Sequence, residues 1–173
     1  NEVDIDLIPY NVPSRTSLDM APETIVELAK IDNIVALKEA SSNVDKVSKT
    51  MKLLRDAGLE DDIVILSGSD ELTLPLMSVG ARGVVSASAN IDPRTMVQMV
   101  NCILDGDYDK ALELHYKQYD LIKALFIETS PAPAKEALKM MGMPAGPLRL
   151  PLVPMLEENR VILRKALEDA GIL

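Results

Sequence analysis

The stretch Asn33–Ser42, NIVALKEASS, decides how the rest of the chain is read. Its run Ile34–Leu37 is short and wholly apolar, which suits a buried strand. Lys38 follows directly. An ammonium is strongly hydrated and is almost never fully buried without a partner. A lysine placed where a strand leaves the core therefore supports two readings. In one, the head is solvated while the stem packs along the sheet. In the other, a stiff and partly dry wall holds the amine for attack on a carbonyl carbon, because a partly desolvated amine gives up its proton more readily.

Outward from this stretch, apolar runs of similar length recur at Ile5–Pro9, Ile63–Leu66 and Gly83–Ser86. Helical patterns lie between them. APETIVELAK has Pro22 near a first turn and Ile25, Leu28 and Ala29 at helical spacing. NVDKVSKTMKLLRDAG puts Val44, Val47, Met51 and Leu54 on one face and ends at Gly58, a candidate C′ residue. DELTLPLMSVG reads as a shorter helix with Pro75 near its first turn. DPRTMVQMVNCILDG opens with Asp92 as N-cap and Pro93 at N1. Strand and helix alternating with short connections is the pattern of parallel βα units, and four of them reach Gly106. Three helical segments and a Pro-rich connector, MPAGPLRLPLVPM, complete the chain. The boundaries predicted are residues 1–106 for the βα part and 107–173 for a helical extension. Two architectures fit: a small open α/β sheet with a helical tail, or half of an eight-stranded barrel with a helical appendage.

Parallel α/β architectures gather functional groups where strands end and loops begin. Those ends are YNVPSRT, KEASS, SGSDE and VVSASAN, so Tyr10, Lys38 and Gly68 are expected on one face. Tyr10 is either an amphipathic residue at a strand mouth or a phenol that passes protons beside the amine. Arg15 is a surface residue or, in a pocket mouth, a planar fork for a carboxylate. Gly68 serves a turn or a close backbone approach to a ligand. Val85 reads as core and His115 as packing or surface.

Composition narrows the classes. The 173 residues carry a formal charge of −9, the wrong sign for a phosphate-backbone binder, so nucleic acid is excluded as an expected partner. No apolar run approaches the roughly 20 residues that span a bilayer, and the start of the chain has no signal-peptide pattern, so a cytoplasmic protein without a membrane partner is expected. Cys102 is the single cysteine, so no internal disulfide can form, and His115 the single histidine, so no metal site is expected.

Five segments then occur in order: YNVPSRT, ALKEASS, LSGSDELTLP, GVVSASANIDP and FIETSPAPAKEALKMMGMPAGPLRLPL. Together they resemble the dihydrodipicolinate synthase branch of the pyruvate-dependent class I aldolases, over essentially all of the chain from Ile8 onward. The resemblance implies a TIM barrel with a C-terminal helical extension, assembled as a homo-oligomer, that condenses pyruvate with aspartate semialdehyde in lysine biosynthesis. By this resemblance Lys38 forms the imine with pyruvate, Tyr10 belongs to a proton relay, and Arg15 meets the semialdehyde carboxylate. Gly68 and Val85 match pocket positions that approach pyruvate through backbone. No cofactor is implied beyond the covalent imine on Lys38.

The chain departs from the family in extent. It matches the last four of eight βα units, and it contains no Thr-Thr pair to match the family's pyruvate-carboxylate segment. The opening NEVDIDL is similar to a segment soon after the family's first strand, and equally to the lead-in to the fifth. An internal deletion or a truncation is thus expected. A half barrel has two unpaired sheet edges, which predicts either two halves associating into a barrel-like assembly or rearranged strand edges. Two alternatives stay open beside the synthase reading: a half-barrel scaffold or self-associating fragment without chemistry, and a related aldolase acting on a sugar acid.

Overall fold

A computed structural model describes residues 4–173. The first three residues of the NEVDIDL segment lie outside the described residues. Two compact units divide at Ser86/Ala87. The 106/107 boundary drawn from the sequence follows a change of element type; the division at 86/87 follows contacts.

The first unit is built on four parallel strands: β1 (Tyr10–Asn11), β2 (Ala36–Glu39), β3 (Val64–Ser67) and β4 (Gly83–Val84). They pair in sequence order, β1-β2-β3-β4. A doubly wound sheet reverses its order at a switch point. Here every crossover steps the same way, as in a barrel, so the chain is a half barrel of βα units followed by helices. The register is Tyr10 beside Lys38, Lys38 beside Leu66, and Leu66 beside Gly83.

The crossovers are α1 (Pro13–Thr16), α2 (Pro22–Leu28), α3 (Val44–Asp56) and α4 (Thr73–Ser78), the last preceded by a 3₁₀ turn at Asp70–Leu72. Asn43 caps α3 by accepting from the Lys46 amide at 3.0 Å. Gly58 follows the end of α3 at φ +68°, where the Cβ of other residues is disfavoured. Leu37, Ile65, Ile25, Val47 and Leu54 are all buried, and α2 packs on α3 while α4 packs on β3 and β4.

The first strand differs from the expectation. Ile5–Pro9 forms only the bridge Leu7–Ile34, and Ile5 and Ile8 are exposed; the regular pairing falls on Tyr10–Asn11. Pro9 has no N–H for the ladder, so only its carbonyl takes part, accepting from the Lys38 amide at 2.9 Å.

The second unit holds α5 (Pro93–Leu104), α6 (Tyr108–Leu125), α7 (Ala132–Met140) and α8 (Glu157–Asp169). Asp92 caps α5 as expected, accepting from the Thr95 amide at 3.1 Å, with Pro93 at the first helical position. Leu121, Leu125, Ala137, Leu163 and Leu167 form its core. His115 packs edge-on to Tyr116 and Tyr119, and burial lowers its pKa. Among the described residues no helix is long and apolar enough to cross a membrane.

Candidate active site

Side chains alternate across a strand, so Lys38 and Glu39 leave β2 on opposite faces. On one face Lys38 meets its register partner Tyr10: the Nζ sits 4.0 Å from the ring centroid, within cation–π range. Among the described residues Lys38 has no carboxylate partner. Its side chain is partly buried, while Tyr10 is 47% exposed.

Gly68 lies one step beyond β3, and its amide donates to the Glu39 carbonyl at 2.7 Å. A Cβ there would lie 2.7 Å from Ala40 Cβ, 3.1 Å from Glu39 O and 3.2 Å from Lys38 Cε. The position needs glycine because β2 and the lysine stem occupy the space, not because of an unusual φ. Val85 is one step beyond β4, with its amide donating to the Ser67 carbonyl at 2.8 Å. It is 42% exposed, so the expectation that it belongs to the core is corrected. Arg15 is exposed on α1, five residues past Tyr10. The structure thus brings Tyr10, Lys38 and Gly68 together, with Val85 just past β4 and Arg15 on α1.

The opposite face of the same strand ends carries a polar cluster that the sequence reading missed. Asn11 Nδ2 donates to Glu39 Oε1 and Oε2 at 3.0 and 2.9 Å and to Asp19 Oδ1 at 2.8 Å. Asn11 Oδ1 accepts from the Met20 amide at 3.1 Å. Glu39 Oε1 accepts from the Ser41 amide at 2.6 Å, and Lys46 of α3 pairs with Glu39 Oε2 at 3.2 Å and with Asp19. Asn11 and Glu39 are each 2% exposed and Lys46 7%. The available signal was period two: if Tyr10 and Lys38 face one side, Asn11 and Glu39 face the other.

The hydrogen bond from Lys46, and then that from Asn11, holds the Asp19 pKa below the usual carboxylate value. A depressed folded-state pKa contributes stability above the unfolded value, and that contribution is lost as pH falls through the folded one. Stability is therefore expected to decline below about pH 4, and less so in Asp19→Asn. Thermal melts of both proteins between neutral and acid pH check this, and parallel curves would refute it.

The dihydrodipicolinate synthetase family matches residues 1–170. The 4-hydroxy-tetrahydrodipicolinate synthase of Methanocaldococcus jannaschii is 49% identical over 172 residues, covering 99% of this chain and 57% of that protein. A monomeric dihydrodipicolinate synthase variant superposes with a TM-score of 0.93 at 37% identity, over 99% of this chain and 57% of the other. The chloride-inhibited dihydrodipicolinate synthase of Acinetobacter baumannii, complexed with pyruvate, gives 0.91 at 40% identity with the same coverage. The chain thus spans somewhat over half the length of the relatives it matches. It belongs to the dihydrodipicolinate synthetase family.

Proposed function

We propose that this chain supplies the imine-forming lysine of a lyase-class condensation between pyruvate and L-aspartate semialdehyde, on the diaminopimelate route to lysine. One observation carries the reading: Lys38 Nζ rests 4.0 Å from the Tyr10 ring centroid at a strand end where Gly68 leaves room for its stem. The free amine attacks the keto carbon of pyruvate, and loss of water leaves a C=N bond to Lys38. Loss of a methyl proton gives an enamine, whose carbon attacks the aldehyde carbon of the second substrate. Water then releases the product from Lys38. In this scheme Tyr10 relays protons to and from the carbinolamine oxygen. Arg15 offers a planar fork to the semialdehyde carboxylate. The backbone at Gly68 and Val85 lines the approach of pyruvate. The reaction needs no cofactor beyond the imine, and the setting proposed is the cytoplasm, with further copies of the chain as assembly partners.

A second reading takes support from the exposure of Tyr10 and Val85. With water at the Lys38 side of the sheet, the chain would keep the motifs as a scaffold without chemistry. Borohydride trapping separates the two. The chain is incubated with pyruvate, reduced, and mapped by peptide mass spectrometry. A stoichiometric adduct on Lys38 that saturates with pyruvate is expected; absence of an adduct, or labelling spread over many lysines, supports the scaffold.

A further inference from the structure

We propose that the buried residues Asn11, Glu39 and Lys46, together with half-exposed Asp19, are a positioning device that fixes Lys38, Tyr10 and the Arg15 turn relative to one another. The inference rests on the imine-lysine reading for its chemical consequence, but its structural content stands apart from it.

Three of the groups assigned to the site, Tyr10, Lys38 and Arg15, lie next to or between members of this cluster in sequence; Gly68 and Val85 follow other strands. Tyr10 precedes Asn11, Lys38 precedes Glu39, and Arg15 lies in the turn between Asn11 and Asp19. The Asn11 amide bridges the two strand ends by donating to both Glu39 oxygens, and it pins the far end of the Arg15 turn through Asp19 and the Met20 amide. The regular ladder between β1 and β2 is short, with register pairs only at Tyr10–Lys38 and Asn11–Glu39. The Leu7–Ile34 bridge extends the same seam toward the start of the strands, and the side-chain cluster adds a constraint at the strand ends that carry the site. Lys46 completes it from α3, neutralising one of the two carboxylates.

Energetics favour this role over a purely stabilising one. A buried ion pair gains little over apolar residues of similar shape, because desolvating both charges offsets their attraction, whereas removing one partner alone is strongly destabilising. A fully satisfied polar network nevertheless admits one geometry, which an apolar contact does not. Among the described residues Lys38 has no carboxylate anchor on its own face, so its placement depends on the strand beneath it. Displacing a reacting group by about 1 Å can lower a rate by up to roughly 100-fold.

The test uses the full chain and the double substitution Glu39→Gln with Lys46→Met, which removes both charges and leaves no unpaired buried one apart from half-exposed Asp19. Trapping of pyruvate by borohydride is followed against pyruvate concentration. The maximal labelling rate at Lys38 is expected to fall about 10-fold or more, with the half-saturating concentration little changed and cooperative unfolding retained. Wild-type labelling in the stably folded double variant would overturn the proposal. Amide hydrogen exchange is read in parallel. The Lys38 and Ala40 amides, which donate to Pro9 and Asn11 across the β1–β2 seam, should exchange faster; the Arg82 and Val85 amides of the β3–β4 seam should not. Uniform acceleration, or none, would mean that the cluster is ordinary packing. If wild type itself gives no Lys38 adduct, the imine reading has failed, and the exchange pattern alone decides on the positioning role. Asn11→Ala, which leaves the charge pairs in place, is the second variant should the double one not fold, with the same exchange pattern expected and the same outcomes overturning the proposal.

Discussion

Gly68→Ala is expected to destabilise the first unit by about 1–3 kcal/mol, the cost of forcing an extra methyl into a packed site, and to abolish pyruvate labelling of Lys38. The added Cβ would meet Ala40 Cβ at 2.7 Å and the Glu39 carbonyl oxygen at 3.1 Å, and neither can rotate away. Its third neighbour, Lys38 Cε at 3.2 Å, can move, but doing so shifts the amine off the Tyr10 ring. Retreat of the β3 end would instead break the 2.7 Å bond from the Gly68 amide to Glu39, whose carboxylate anchors the buried cluster. Either relaxation damages the site. Gly83→Ala is the control: its Cβ would meet only Leu66 Cδ2, at an ordinary 3.5 Å, so a stability unchanged or raised by up to about 1 kcal/mol is expected. Urea unfolding with trapping on both variants checks the pair. Equal stability of the two would show that the strand ends are looser than these distances require.

The same residues show what the sequence could and could not convey. Period and punctuation were enough for the βα units: Asp92 caps its helix with Pro93 at the first position, and Gly58 closes α3 at positive φ. Strand order was not deducible from those signals, since an open sheet and a half barrel share the same alternation; pairing in order 1-2-3-4 settles it. The β1 position was misread because Ile5 and Ile8 are apolar yet exposed, and apolar content says nothing of which surface will be covered. Lys38, Tyr10 and Gly68 were legible as neighbours because they end successive parallel strands. The cluster beneath them was not. Asp19 and Lys46 are 27 residues apart on different elements, and no local pattern announces that they converge on Asn11 and Glu39.

The chain holds two lysines near the end of β2, and their difference gives the second large effect. Lys46 is buried, 7% exposed, and tied to Asp19 and Glu39; Lys38 lies beside the Tyr10 ring and, among the described residues, has no carboxylate partner. A buried amine engaged by two carboxylates presents no open side to a carbonyl carbon, while the amine beside the Tyr10 ring is engaged by no carboxylate among the described residues. Lys38→Met is therefore expected to remove the saturable pyruvate adduct completely, with unfolding changed by no more than about 1 kcal/mol, because methionine replaces the stem and no ion pair is lost. Lys38→Arg should give the same chemical loss: guanidinium keeps the charge over Tyr10 but does not deprotonate to a nucleophile. Exposed, salt-bridged lysines such as Lys52 and Lys165 can add a slow background, but one that rises linearly with pyruvate instead of saturating. Saturable labelling that survives in Lys38→Met would move the reacting amine elsewhere and overturn the site; a Lys38→Arg protein that still forms a trapped adduct would do so equally.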